Sequence, residues 1–244
     1  MLIESITRKA SVKEKQFWVL IDPDKQEVPE AAVFAALCEK NGVDVLLVGT
    51  SLTMTDRFIA TVRAIKDIVK LPVIIFPAGS QQVTPYADGI LFISLISGRN
   101  PQYLIGEHVQ SAPMIKASGI EPLSTAYMLI ESGSMTAVNF VSNTMPIPRK
   151  KIDIAVAHAL AAEYLGMKLI YLEGGSGADM SVPSEMVSAV KHTVTIPVIV
   201  GGGVDDPQTA AEKAKAGADI IVVGTALENN RSEELLRDFR NAVR

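Results

Sequence analysis

Short apolar runs rich in Val, Ile and Leu alternate along the chain with longer stretches in which apolar and polar residues recur at helical spacing. The runs are WVLID (18–22), VDVLLVG (43–49), VIIF (73–76), GILFISLI (89–96), PLSTAYMLI (122–130), KLIYLEG (168–174), PVIVGGG (197–203) and DIIVVGT (219–225). Most are continuous rather than alternating, the pattern of strands buried on both faces of a parallel sheet. Amphipathic segments separate most of them, including PEAAVFAALCEKNG, TDRFIATVRAIKDIV, IDIAVAHALAAEYLG, PSEMVSAVKHTV and PQTAAEKAKAGA, and SEELLRDFRNAV closes the chain. Eight strands with helical crossovers predict a (β/α)8 TIM barrel, and no Gly/Ser or Pro-rich linker divides residues 1–244 into more than one domain.

Two connections depart from the repeat. PAGSQQVTPYAD, between the third and fourth runs, holds two prolines and is too short for a full crossover, so the helix after strand three is expected to be reduced or missing. ESGSMTAVNFVSNTMPIPRK (131–150) is a long polar insertion after strand five, of a length that in compact domains is often functional. Both fall where they can shape a site at the C-terminal ends of the strands.

Composition narrows the class. With 23 Lys plus Arg against 27 Asp plus Glu and no basic stripe, the chain lacks the electrostatic footprint of a nucleic-acid partner. No apolar stretch reaches the roughly 18 residues of a membrane span. The N-terminus scatters charges among its apolar residues, and the single Cys38 excludes an intrachain disulfide, so a cytoplasmic enzyme is expected.

The candidate chemistry lies at the strand ends. GGG (201–203) and GTA (224–226) end the last two runs before helix starts, a pattern that lets backbone N–H groups approach a phosphate. In YLEGGSG (171–177), Tyr171 and Glu173 share one side of the strand, alternate to Leu172. A carboxylate beside a phosphate cradle suits a hydroxyl rather than the phosphate itself, which suggests a hydroxylated phosphate ester as ligand. Strand one ends in LIDPDK, placing Asp22 at the mouth near Thr50 and Ser51 of VGTSLT, hard oxygen ligands suited to Mg²⁺. DP is equally a common turn opener. His108, His158 and His192 lack metal-ligand spacing and are assigned surface or packing roles, and Cys38 that of a small buried apolar residue.

LIDPDK, VGTS, FPAGSQQV, YLEGGSG, VGGG and VGTA, in this order, resemble the geranylgeranylglyceryl phosphate synthase family over nearly the whole chain. The chain looks most like the longer-chain branch rather than the shorter bacterial heptaprenylglyceryl phosphate synthases. A lysine two residues before the strand-one Asp in the related branch is Leu20 here, so no lysine contact to phosphate carries over. The resemblance implies Mg²⁺-dependent transfer of a geranylgeranyl group from its diphosphate to the C3 hydroxyl of sn-glycerol 1-phosphate, by a homodimer or larger homo-oligomer. It implies that Asp22 and Ser51 hold Mg²⁺. It further implies that Tyr171, Leu172, Glu173, Gly174, Gly175, Ser176, Gly177, Gly202, Gly203, Gly224 and Thr225 hold glycerol phosphate. Glu173 would orient the attacking hydroxyl and take its proton, and the ring of Tyr127 would face the allylic cation. The thin wall after strand three, with Tyr86, Phe92, Ile96 and Tyr103, would supply an apolar groove for the prenyl chain, or the same surface would be an oligomer interface. Two other readings share the phosphate cradle. A phosphosugar isomerase or lyase needs an acid/base pair across the mouth, and strand five offers no carboxylate before Glu131. A noncatalytic phosphometabolite-binding barrel would bind without metal or transfer.

Overall fold

The computed structural model describes residues 1–244. The strands are β1 (Gln16–Ile21), β2 (Val45–Gly49), β3 (Val73–Phe76), β4 (Gly89–Ser94), β5 (Glu121–Leu129), β6 (Leu169–Glu173), β7 (Val198–Gly201) and β8 (Ile220–Val223). They pair in parallel and in sequence order, and β8 returns to β1 to close the barrel. The helices are α1 (Leu2–Ser11), α2 (Val28–Lys40), α3 (Phe58–Ile68), α4 (Glu107–Ser118), α5 (Ala137–Ser142), α6 (Ile152–Tyr164), α7 (Ser184–Thr193), α8 (Pro207–Ala216), α9 (Thr225–Asn229) and α10 (Glu233–Val243). No helix is long and apolar enough to cross a membrane.

The continuous apolar runs are explained by two cores, one on each side of the barrel wall. Along β1, Phe17, Val19 and Ile21 face the outer helices while Trp18 faces inward with Leu47, Ile74, Leu91, Leu123 and Ile199. Successive Cβ atoms on a strand point to opposite faces, so a wall buried on both sides needs apolar residues at every position. Phe17 stacks on Phe239 of α10 with centroids 5.9 Å apart, which fastens the closing helix to the first strand. Helix α1 contributes Ile6 to the inner core. Its first turn is held by the Glu121 carboxylate at the start of β5, which accepts from the Leu2 and Ile3 amides at 2.5 and 3.0 Å.

Between β3 and β4 the only helical element is a 3₁₀ turn at Ser80–Gln82, as the two prolines and the short spacing predict. The insertion after β5 bridges back through Ile130 and Ile147 and contains the short α5. A π-helical segment, Gln102–Gly106, leads into α4. It is tied to the end of β4, where the Leu95 amide donates to the Tyr103 carbonyl at 3.0 Å and Ser94 Oγ to the Leu104 carbonyl at 3.0 Å. Helix α3 starts at Phe58 rather than Thr55. The Asp24 carboxylate takes the Met54 amide and the Thr55 hydroxyl, and so holds Met54 and Thr55 as loop.

Candidate active site

A cavity of about 370 Å³ opens at the C-terminal ends of the strands. It reaches from the loops after β7 and β8 to the flank where the third crossover helix is missing, and its two ends differ in chemistry.

The end toward β6, β7 and β8 is built largely from backbone. Gly202 and Gly203 have φ of 77° and 65°, a region that favours glycine. Space demands the same residue at 202, because a Cβ there would overlap the Glu173 carboxylate and the backbone nitrogens of Gly174 and Gly175. The amides of Gly202, Gly203 and Thr225 line the cavity and donate to nothing within the protein, so they are free to receive an anion. Gly224, Ser176 and Gly177 line the same end. Helix α8 does not contribute its N-terminus, since Asp206 caps it by accepting from the Thr209 amide at 2.8 Å.

Glu173, the last residue of β6, projects inward behind this cradle and is 5% exposed. Burial pushes its carboxyl up to about 7. Opposing that shift, the Gly175 amide donates to Oε1 at 2.6 Å, and the hydroxyls of Tyr171 and Tyr127 lie against the carboxylate. Register explains the grouping: Tyr127 pairs with Tyr171 across β5 and β6, and Glu173 with Gly201 across β6 and β7. Gly201 is glycine because a Cβ there would meet the Tyr171 ring and hydroxyl. Tyr127, Tyr171 and Phe76 form an aromatic cluster, with centroids 5.4 Å apart for Tyr127–Tyr171 and Phe76–Tyr171 and 6.0 Å for Phe76–Tyr127. Leu172 points into the outer core, and Gly174 and Gly175 form backbone behind the wall rather than lining it.

Asp22, Thr50 and Ser51 line the cavity together, with the Thr50 hydroxyl against the Asp22 carboxylate. Asp22 Oδ1 accepts from the Asp24 amide at 2.9 Å, and Oδ2 lies 4.0 Å from Lys25 Nζ, which is held more closely by Glu228 at 2.6 Å. Burial raises the carboxyls of both Asp22 and Glu228. Two half-desolvated carboxylates therefore share one ammonium, and the negative charge left over suits a cation. No group of three His, Cys, Asp or Glu side chains surrounds a metal position. Mg²⁺ does not need one, because it takes one or two carboxylates and fills its shell with water and substrate phosphate oxygens.

The opposite end is mostly apolar, with Ser80, Glu107, Ser111 and Ser142 also on its lining. Phe76, Val83, Phe92 and Tyr103 line it, and α5 covers it with Val138 and Val141. His108 also lines it, its ring meeting the Phe92 ring edge-on at 4.5 Å. Burial lowers the pKa of His108, favouring the neutral ring. Tyr86 and Ile96 lie elsewhere, contrary to the sequence expectation. Tyr86 is on the outer surface with the Arg63 guanidinium 5.2 Å from its ring centroid, and Ile96 packs on the outer core.

Several residues escaped the sequence reading. Lys25 was visible in LIDPDK, but its partner Glu228 is marked only by falling one helical turn after Thr225. Val138 and Val141 carry no local signal, because the cavity is completed by elements remote from one another in sequence, and His108, read as a surface or packing residue, packs on Phe92 and lines the cavity as well.

Residues 10–243 match the model of the PcrB family. The chain is 47% identical over 229 residues to the geranylgeranylglyceryl phosphate synthase of Chitinophaga pinensis, covering 94% of this chain and 90% of that one. It is 43% identical over 243 residues to the synthase of the same name from Pyrococcus horikoshii, covering 99% and 95%. Among solved structures it superposes on (S)-3-O-geranylgeranylglyceryl phosphate synthase from Thermoplasma acidophilum, in complex with substrate sn-glycerol-1-phosphate. The TM-score is 0.94 at 36% identity, over 100% of this chain and 98% of that one.

Proposed function

The chain belongs to the PcrB family, and we infer that it is a prenyltransferase, a geranylgeranylglyceryl phosphate synthase making the first ether bond of archaeal-type membrane lipids. The observation that carries this reading is the two-ended cavity. Free amides and a buried carboxylate stand at one end and an apolar chamber at the other, with Asp22 at the mouth.

The residues divide the reaction as follows. The amides of Gly202, Gly203 and Thr225, with Ser176, Gly177 and Gly224 around them, hold the phosphate of sn-glycerol 1-phosphate. Glu173 accepts a hydrogen bond from the C3 hydroxyl and aims its oxygen toward the aromatic cluster. As the allylic C1–O bond breaks, its electron pair leaves with the diphosphate, and positive charge develops on the prenyl carbon. The rings of Tyr127 and Tyr171 face that charge, an interaction that reaches about 2 kcal/mol where water is excluded. The C3 oxygen then bonds to C1, and its proton passes to Glu173. Asp22 and the Ser51 hydroxyl would hold Mg²⁺, which when bound supplies positive charge against the departing diphosphate. The prenyl tail occupies the apolar end, each buried CH₂ contributing about 0.8 kcal/mol. The twenty-carbon donor of the longer-chain branch is part of the proposal. A homo-oligomer is a further part of it, supported by the exposed apolar side chains of Phe140, Tyr164 and Leu165.

The test is to incubate the protein with Mg²⁺, labelled sn-glycerol 1-phosphate and prenyl diphosphates of increasing length, and to measure organic-extractable ether product. Product with the twenty-carbon donor is expected. Saturable glycerol phosphate binding with no product from any donor would replace the enzyme by a binding barrel. Asp22→Asn is expected to abolish Mg²⁺-dependent turnover while glycerol phosphate binding persists; equal loss of both would remove Asp22 from the metal site.

A further inference from the structure

The motif FPAGSQQV contains a buried amide that the chemistry above leaves unused. Gln82, at the end of the 3₁₀ turn, is 1% exposed and does not line the cavity. Its Oε1 accepts from the Ala78 amide at 2.7 Å, and its Nε2 donates to Thr53 Oγ1 at 2.8 Å. The Ala78 N–H can only donate, which fixes the orientation of the side-chain amide and turns its NH₂ toward the threonine. Ala78 belongs to the wall segment Phe76–Ser80 that stands in place of the missing helix, and Thr53 follows Ser51 and Leu52 at the mouth. One buried side chain thus ties the wall of the apolar end to the loop that carries Ser51.

The tie continues on the other side of Thr53. The Asp24 carboxylate accepts from the Met54 amide at 2.8 Å and from the Thr55 hydroxyl, and the Asp24 amide donates to Asp22 at 2.9 Å. From Asp22 to Ala78 the loops after β1, β2 and β3 are joined by side-chain hydrogen bonds and short lengths of chain. Each loop alone would be a flexible connection, and the missing crossover helix removes the packing that normally steadies the third. From the other side, Glu107 accepts the Ser80 amide at 2.8 Å and fixes the far edge of the same wall.

We propose that Gln82 is a positioning residue for the prenyl donor. Through Thr53 and Ala78 it sets the separation between the diphosphate end of the mouth and the wall that receives the first isoprene units. The inference rests on the synthase reading and deepens it. Positioning matters here because the reacting carbon must sit over the aromatic cluster while diphosphate and tail are gripped at opposite ends. The acceptor cradle after β6, β7 and β8 meets this chain of contacts only at its far end, where Lys25 donates to Glu228 at 2.6 Å, and not at Gln82, Thr53 or Ala78, so the effect of Gln82 falls on the donor.

The experiment compares wild type, Gln82→Met, Thr53→Val and the double variant. Met keeps the volume and removes both hydrogen bonds; Val removes only the hydroxyl. Steady-state kinetics are measured with geranylgeranyl diphosphate and sn-glycerol 1-phosphate varied separately, together with thermal midpoints. Gln82→Met is expected to raise the donor KM about tenfold, the scale of two lost hydrogen bonds, with the acceptor KM within about twofold of wild type. Thr53→Val, in a partly exposed loop, is expected to give a smaller shift of the same selectivity, and the double variant less than the product of the two. Amide exchange at Ala78 is expected to quicken in Gln82→Met. Both KM values moving together with a lowered midpoint, or neither moving, would overturn the assignment and make Gln82 a structural residue. Absence of ether product from wild type would instead remove the synthase reading and the inference with it.

Discussion

The two ends of the cavity are made in different ways. The acceptor end is mostly backbone: glycines at 201 and 202 let the end of β7 approach Tyr171 and Glu173 so closely that no side chain fits between, and Gly203 lies as closely on the backbone of Met180 and Ser181. The donor end is mostly side chain, gathered from β3, β4, the π-helical segment, α4 and α5 around the space of a missing helix. A backbone cradle fixes a small charged group rigidly, because donors in tight turns directly after closed strands have little room to relax. A surface of valines and aromatics instead accepts a long apolar chain by area, with no single contact decisive. Substitutions at the acceptor end should therefore act sharply and on one substrate, while those at the donor end should be graded.

The largest effect is expected at Glu173. Glu173→Gln keeps an acceptor for the Gly175 amide and removes the proposed base, so kcat should fall by about 10² to 10⁴. In wild type, kcat/KM should rise with pH and level off above about 7, where the buried carboxyl ionises. Stability should run the opposite way. The folded protein holds a proton that the unfolded chain releases from the ordinary 4.5 upward, so folding weakens as pH rises from there to about 7. On that scale the ionised carboxylate costs about 3 kcal/mol above the window. Glu173→Gln should melt higher than wild type at pH 8 and match it near pH 4. A variant less stable than wild type at pH 8 would show that the charge is held by its neighbours rather than strained by burial.

The contrast between the ends also explains what the sequence could show. YLEGGSG, GGG and GTA are contiguous, and strand alternation with a glycine turn places most of their residues at one end of the cavity, so that grouping was legible in the sequence while the role of each residue was not. Leu172, Gly174 and Gly175 are the exceptions: alternation itself turns Leu172 to the outer helices, and the two glycines lie behind the cavity wall. The barrel was legible for a similar reason, because a wall between two cores has to be written as unbroken apolar runs. Tyr86 and Ile96 were misplaced because neither lies on a strand: Tyr86 sits in the helix-free connection before β4 and Ile96 just past its end, where alternation no longer says which side of the wall a residue takes. The Arg63 guanidinium over Tyr86 and the outer packing of Ile96 settle that in three dimensions. Helix α5 was hidden in the insertion because six residues, AVNFVS, are too few to show a helical period.

A sharper test of the acceptor end is Gly202→Ala. The φ of 77° and the overlap of a new Cβ with Glu173 and two backbone amides leave the methyl group nowhere to go without moving the cradle. Strain of this kind costs about 1 to 3 kcal/mol. Taken from acceptor binding, it should raise the sn-glycerol 1-phosphate KM about ten- to hundredfold, with the donor KM little changed. Isothermal titration with glycerol phosphate alone checks the loss independently of turnover.

The matching substitution at the donor end is Val138→Ala, where the smallest effect is expected. Val138 lies on α5, partly buried against the inner core, with its side chain on the cavity. Alanine is the better helix former, so α5 should persist. The change removes two half-buried carbons from the proposed contact with the tail, worth about one buried CH₂, or about 0.8 kcal/mol. Donor kcat/KM should fall about fourfold and the acceptor KM should stay as it is. If Val138→Ala instead cost the donor a hundredfold, the apolar end would be gripping the tail at one point, as the acceptor end grips its phosphate. The division between a rigid backbone cradle and a graded apolar surface would then be wrong.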